Sequence, residues 1–349
     1  MKKIKVGDKY IGNGHPCFIV AEIGINHGGN IKLAFRMIDA AKKSGADAVK
    51  FQNYRTEDFI RDRNIKYNYI SKGKKITETQ YAMFKRCEIS FQDLKKIKAY
   101  CDRKKIIFFS TPTSIETLME LKRVRSPIIK NGSDFLTNLE LISAMAKSKK
   151  PTVISCGMAS IEEINEAIKS YKMGGGKKLI LLHCTSSYPT PIKDINLNRI
   201  SEMKKLFNYI IGYSDHSEGY LAAVGAVTLG ACFIEKHFTL SKKLNGPDHR
   251  FSSDPKEFSE LVKAVRNAEA AMGKYEINPV ESELYGKKFF RLSCIALKNL
   301  NKGHKIKKED IGFSRPGDGL PPKEKPNLIG KVIKRNIKKN NMILNKDIV

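Results

Sequence analysis

The feature that most limits how this chain can fold is a repeated alternation. A short apolar run, a polar break and a segment with apolar residues at helical spacing succeed one another between residues 17 and 272. Runs at 17–23, 48–51, 106–110, 128–130, 152–155, 179–183, 209–211 and 232–234 read as strands. Stretches of helical periodicity follow them at 31–44, 91–103, 114–123, 138–147, 161–171, 197–206, 219–229 and 255–272. Eight such units in about 270 residues fit a closed (β/α)8 barrel better than an open doubly wound sheet, since the usual barrel takes about 250 residues. No G-x-G-x-x-G dinucleotide signature follows the first run.

In such a barrel the active site collects at the C-terminal ends of the strands, so the residues there are the ones to read. The stretch 208–238 forms one strand-helix-strand unit, whose parallel strands deliver Asp215 and His216 to the same end as Glu235, Lys236 and His237. A single histidine after a strand is more often a hydrogen-bonded structural residue. Two in register, flanked by acids, can share one cation, and carboxylates at Asp215, Glu235 or Asp248 would bias it towards the harder ions. The other strand ends are also polar: Glu22, Asn26 and His27; Lys50 and Gln52; Ser110 and Thr111; Lys130 and Ser133; Ser155; His183, Thr185, Ser186 and Tyr188. Lys50 and Lys130 each follow aliphatic residues and are expected to point into the barrel mouth, where a buried ammonium needs a partner. One such lysine can be explained by pairing with Glu22. Two, with the hydroxyls of Ser133 and Ser155, read as a cradle for phosphate or carboxylate. Metal beside an anion cradle suits either carbon–carbon bond formation or phosphoryl departure, and spacing alone does not choose.

Hydrophobic residues make up 41% of the 349 and charged ones 29%, an ordinary globular balance. The formal net charge of +28 would permit a nucleic-acid or anionic-membrane partner, but the lysines are spread over most of the helical segments, as on a solvated surface. Neither nucleic acid nor membrane is therefore expected as a partner. Seven cysteines, odd in number, scattered and without a C-x-x-C pair, are expected to be free thiols in a reducing compartment. No signal-like segment and no apolar stretch of about 20 residues is present, so a cytoplasmic location is expected.

Six ordered segments carry a resemblance: Ala21-Glu-Ile-Gly-Ile-Asn-His-Gly-Gly, Val49-Lys-Phe-Gln, Leu182-His-Cys-Thr-Ser-Ser-Tyr-Pro-Thr-Pro, Gly212-Tyr-Ser-Asp-His, Glu235-Lys-His-Phe-Thr and Gly246-Pro-Asp-His. Together they resemble the sialic acid synthase family, over nearly the whole chain. The resemblance implies condensation of phosphoenolpyruvate with an N-acetylmannosamine-type sugar, with C–O cleavage and phosphate release, assisted by Mn2+ or Mg2+. N-acetylneuraminate is the first product expected and N,N'-diacetyllegionaminate the second. By similarity His216 and His237 would hold the metal, and Lys50, Lys130, Ser133 and Ser155 the enol phosphate. Glu22 would serve as acid or base. Gln52, Ser110, Ser186, Tyr188 and Asp248 would position substrate or water.

The alternation stops near residue 275. Residues 276–288 read as a linker, with Pro279 and mixed charge, and 289–349 resemble the antifreeze-like (SAF) module that closes this family's synthases. Strand-like runs at 292–297, 332–333 and 342–344 support this. The resemblance also implies that Arg315 reaches the barrel of a partner subunit in a domain-swapped homodimer and contacts the sugar's acylamino group. Two departures bear on sugar identity. After Lys130-Asn-Gly-Ser, where the family reads Gly and then an acid, this chain displaces the acid to Asp134 and puts Phe135 where a sugar-contacting carboxylate is expected, and Arg250-Phe-Ser-Ser replaces a small-residue run. The polar excursion 53–80 is expected either to overhang the mouth or to be disordered. Two other readings stand beside this one. A synthase of 3-deoxy-ulosonates from a phosphorylated aldose would generally lack the C-terminal module and Arg315. A catalytically dead barrel binding carbohydrate or nucleic acid would have no reason to keep Lys50, Lys130, His216 and His237.

Overall fold

The computed structural model describes residues 3–349 and divides into two compact units, one ending at Gly273 and the other Lys274–Val349. The first opens with an antiparallel hairpin, β1 (Lys3–Val6) and β2 (Lys9–Gly12). After β3 (Phe18–Gly24) and β4 (Ala48–Asn53) comes a second hairpin, β5 (Lys66–Ser71) and β6 (Lys74–Thr79). Six more strands follow: β7 (Ile107–Pro112), β8 (Ile129–Asn131), β9 (Thr152–Ser155), β10 (Leu179–Cys184), β11 (Ile210–Asp215) and β12 (Phe233–His237). Among the described residues β3, β4 and β7 to β12 close a parallel barrel in chain order, β12 pairing back onto β3. All eight expected strands and their following helices are present.

Successive residues of a strand face opposite sides, and this period sorts the barrel into an interior and an outer layer. Phe18, Val20, Phe109, Ile180, Leu182 and Phe233 point inward and form a core with Ile4, Val6 and Ile11 of the first hairpin, which closes the N-terminal end of the barrel. Truncating one of these, as in Phe233→Ala, should cost about 3–5 kcal/mol. Ile19, Val49, Phe108, Ile154 and Ile234 point outward against the helices. Those helices start on side-chain caps: Asn30 accepts from Lys32 and Leu33 amides, and Asp254 with Glu257 forms a capping box ahead of Pro255. With the interior filled from below, the polar residues at the upper strand ends are the ones left facing open space.

The 53–80 excursion is ordered. Its hairpin turns on Lys72 and Gly73, both at positive φ, and the amide of Gly246 donates to Ser71 Oγ at 3.4 Å. The segment read as a linker carries a helix, Glu281–Phe289, with the Tyr285 and Phe289 rings in tilted contact one turn apart at 4.6 Å. The second unit builds its own core from Cys294, Leu300, Ile306, Ile311, Leu328, Ile333 and Ile343. It contains one two-stranded sheet, β13 (Ser293–Ala296) with β14 (Ile311–Ser314). Strand-like runs at 332–333 and 342–344 pair through isolated bridges, Val332 with Lys305, Ile333 with Ile348 and Met342 with Ile295. No helix among the described residues is long and apolar enough to cross a membrane. All seven cysteines are unpaired thiols.

Candidate active site

The inward row continues past the apolar core. Along β12 it runs Phe233, Glu235, His237; on β4 it reaches Lys50 and Gln52, on β3 Glu22, on β9 Ser155, on β10 Cys184, and on β11 Ser214 with His216 just beyond. These side chains line one cavity of about 490 Å³ at the C-terminal mouth, within the usual range of a small-molecule site.

Two buried ammonium groups form its floor. Lys50 Nζ lies 3.0 Å from Glu22 and 3.4 Å from Glu235, and donates to Thr111 Oγ1 at 3.1 Å. Lys130 Nζ lies 3.6 Å from the same Glu235 oxygen. The two lysines are not held alike. Burial would depress Lys50, but Glu22 and Glu235 outweigh it and keep its pKa above the ordinary lysine value. For Lys130 burial prevails over Glu235, and its pKa is lowered. Burial raises Glu22 despite Lys50, while for Glu235 burial is overcome by Lys130, Lys50 and His216, which hold it low. The floor therefore carries one well-paired and one under-paired cation.

The imidazoles of His216 and His237 stand beside this floor with ring centroids 5.4 Å apart. His216 Nδ1 is 2.8 Å from the carbonyl of Thr185, which can only accept, so Nδ1 carries a proton and the Nε2 lone pair is the one that can bind a cation. Nδ1 of His237 is buried without a hydrogen-bond partner, 3.7 Å from Asp248. Burial and the surrounding cations push the His237 pKa well down, so the ring is neutral and its lone pair available. Burial beside Glu22 brings Asp248 up to about 7. Tyr188 lies tilted against His216 at 4.2 Å, and Phe251 lies against both Tyr188 and His237 at 5.1 Å. Among the described residues no third histidine, cysteine or carboxylate joins these imidazoles in a metal-binding group. A cation held here would have two protein nitrogens and take its other ligands from water and substrate. The donor set fits a divalent ion in that limited sense.

Ser133, Ser155 and Ser186 also face the cavity. The Gly157 amide donates to Ser133 Oγ at 3.1 Å, and a Cβ at Gly157 would stand 2.4 Å from Ser186 Oγ and 2.7 Å from Ser133 Oγ. Only glycine lets the backbone approach these hydroxyls so closely. Glu22 Oε2, Ser155 Oγ, Glu235 Oε2 and His237 Nδ1 are all buried without partners, and all four border this one cavity. Such a concentration of unsatisfied buried groups around one cavity marks a ligand site.

The sequence-derived residues do not all converge. Ser110 lies on the outward face of β7, fully buried and outside the cavity lining; its neighbour Thr111 is the one in the mouth, because strand residues alternate. Asp215, for the same reason, points away from the cavity, to Lys236 at 2.8 Å and the Ser217 hydroxyl at 2.6 Å, and so offers no ligand beside His216. His183 also points outward, to the carbonyl of Ile195 at 2.7 Å. Arg250 lies outside the mouth, on the surface with Lys72, Lys242 and Lys243. Arg315 belongs to the second unit, its guanidinium 5.5 Å from the Phe290 ring centre. Ser214, Cys184 and Thr111 were not singled out from the sequence as binding residues, nor was Glu235 seen as the carboxylate shared by both lysines; period-two alternation from Ile210, Leu182, Phe109 and Phe233 points to all four.

Comparison with known proteins places this site in a family. A model described as the NeuB family matches residues 37–277, and one described as the SAF domain matches 293–349. The N,N'-diacetyllegionaminic acid synthase of Legionella pneumophila is 38% identical over 97% of this chain and 96% of its own length. The pseudaminic acid synthase of Campylobacter jejuni is 39% identical over 92% and 93%. Among solved structures, the N-acetylneuraminic acid synthetase of Leptospira borgpetersenii, in complex with citrate, superimposes with a TM-score of 0.74 at 35% identity, over 81% of this chain and 94% of that one. The chain belongs to the NeuB family: a (β/α)8 barrel followed by a SAF domain.

Proposed function

We propose that this protein condenses phosphoenolpyruvate with an open-chain 2-acylamino mannose-type sugar to give a nine-carbon ulosonic acid and phosphate. The observation that carries the reading is the floor of the cavity: two buried ammonium groups beside two imidazoles, ringed by unpartnered buried atoms of Glu22, Ser155, Glu235 and His237. A trianionic three-carbon ester supplies the charge that Lys130 lacks. The names of the three relatives compared above, each a sugar-acid synthase or synthetase, support the same class.

Lys50 and Lys130 bind the phosphate and carboxylate, with Ser133 and Ser155 donating hydroxyls. His216 and His237 would hold Mn2+ or Mg2+, which supplies Lewis-acid polarisation of the acceptor's aldehyde. C3 of the enol phosphate attacks that aldehyde carbon, a C–C bond forms and positive charge develops at C2. Glu22, raised by burial, can give the proton held at Oε2 to the aldehyde oxygen as the C–C bond forms and, then ionised, take one from the water that adds to C2. The tetrahedral carbon then expels phosphate with its bridging oxygen, as the two ammonium groups stabilise the departing charge. Gln52, whose amide is 3.4 Å from Glu22, together with Ser186, Tyr188 and Asp248, orients the sugar and the water.

In the full assembly, Arg315 is assigned to the acylamino group of a sugar bound in the partner's barrel, in a domain-swapped homodimer with barrel 1–275, linker 276–288 and SAF module 289–349. The test of the overall reading is phosphate release from phosphoenolpyruvate with a panel of 2-acylamino mannose acceptors, with and without chelator. Phosphate released at the same rate without any sugar would sink it.

A further inference from the structure

The side of the cavity formed by the segments that follow β4 and β8 is aromatic. Phe59, Phe84 and Phe135 line it together with Tyr54. Their rings meet edge to face: Phe59 and Phe84 at 5.1 Å, Phe59 and Phe135 at 6.3 Å, Tyr54 and Phe84 at 5.5 Å. Tyr54 brings no free donor, because its hydroxyl is spent on the carbonyl of Phe84 at 2.9 Å. Buried Met83 and Ile25 extend the same surface. The wall is assembled from three places in the chain: the loop after β4, the helix Gln80–Cys87 and the turn Ser133–Phe135 after β8. In the barrel order, β4 and β8 flank β7, which lies across the ring from β11 and β12, the strands that carry the imidazoles.

Given the reaction proposed above, on which this inference rests, the acceptor's C1 lies at the imidazoles and its extended chain crosses the mouth. Its far end, C6, then meets the aromatic wall. We propose that Phe59, Phe84 and Phe135 are specificity residues that select a 6-deoxy acceptor, one ending in a methyl group rather than a hydroxymethyl or a phosphate ester. A methyl loses nothing among aromatic rings, whereas a hydroxyl placed there has no partner. A 6-phosphate is disfavoured further: among the described lining residues the only lysines or arginines are Lys50 and Lys130, already committed to the floor, and the Asp134 carboxylate adjoins Phe135 in the same turn. Gln80 and Thr113, which border the wall, remain for hydroxyl or acylamino groups along the chain.

The experiment compares kcat/KM for 2-acetamido-2-deoxymannose, its 6-deoxy analogue and its 6-phosphate, by phosphate release from phosphoenolpyruvate. The 6-deoxy sugar is expected to be favoured over the 6-hydroxy sugar by on the order of 10- to 100-fold, the range an apolar pocket achieves, with the 6-phosphate weakest. Phe135→Gln and, independently, Phe84→Gln should collapse that ratio to within about threefold by raising KM for the 6-deoxy sugar while kcat is retained, a split that general damage to the fold would not produce. A 6-hydroxy or 6-phosphate acceptor used as well as the 6-deoxy one overturns the proposal and leaves the condensation standing. A preference that neither variant moves removes the wall's role in the same way. Absence of phosphate release with all three sugars sinks the condensation, and the wall's role with it.

Discussion

Replacing Lys130 by Met should damage catalysis while leaving stability intact, and the geometry says why. Lys130 has a single carboxylate within reach, Glu235 at 3.6 Å, and shares it with Lys50. At an effective dielectric near 20 that attraction is about 5 kcal/mol. Against it stand the desolvation of a side chain only 2% exposed, itself several kcal/mol per ion, and repulsion from Lys50. Burial prevails over Glu235 and lowers the Lys130 pKa, so the charge is tolerated rather than stabilised by its protein surroundings. Met fills much the same volume, and Glu235 keeps Lys50 at 3.4 Å and the Ser214 hydroxyl at 3.3 Å. Unfolding free energy should therefore change by less than about 1 kcal/mol or rise, as buried ions replaced by apolar isosteres often do. Phosphoenolpyruvate, in contrast, loses one of two cations that meet its charge, and kcat/KM should fall by about 10²–10³, the usual cost of one preorganised group at a developing anion. The assays are thermal unfolding by circular dichroism and phosphate release on the same preparation. A melting temperature lowered as far as in Lys50→Met, or kcat/KM within threefold of wild type, would refute the reasoning.

Other outcomes follow from the same geometry. Lys50→Met strips Glu22 of its nearest cation and should cost about 3–5 kcal/mol in denaturant unfolding. His237→Ala should fold as the parent does yet lose Mn2+ binding by paramagnetic resonance titration and chelator-sensitive turnover; unchanged rates would remove the metal assignment. Gly157→Ala drives a methyl against Ser133 and Ser186, and should lower kcat/KM at least tenfold with little change in melting temperature. In the C-terminal unit, buried Asp310 accepts from His304 and Lys298 at 2.7 Å each, which together outweigh burial and hold its pKa well below the ordinary carboxylate range. Its stabilisation is present above the unfolded carboxylate value, about 3.9, and fades as pH falls towards the folded one. Hydrogen exchange of residues 293–349 in the intact chain should accelerate in Asp310→Asn at pH 7, and the difference from wild type should shrink in acid.

The barrel was readable from the sequence because its strands begin as apolar runs and its helices carry caps and periodicity. What the runs do not mark is where strands end. Ladder hydrogen bonds are indifferent to side-chain polarity, so β11 continues through Gly212-Tyr-Ser-Asp215 and β12 through His237, beyond the apolar runs at 209–211 and 232–234. The same alternation sorts the site. Lys50, Lys130, His216 and His237 follow inward apolar residues and face the cavity, while Ser110, Asp215 and His183 are one residue out of phase and face the other way. The first hairpin was missed although Lys alternates with Ile and Val over 3–6, because the run is short and its burial depends on a barrel end that only tertiary structure supplies. The helix Glu281–Phe289 was obscured by Pro279 and mixed charge. The aromatic wall joins residues 54, 59, 84 and 135, too far apart for any local pattern to connect.

The most direct test of the condensing site follows the bridging oxygen of phosphoenolpyruvate. With that atom labelled as 18O and an acylamino acceptor present, water adding at C2 and phosphate leaving beside Lys50 and Lys130 require the label to appear in inorganic phosphate. Label retained in the sugar acid would mean that the P–O bond breaks instead, and would contradict the role given to both lysines.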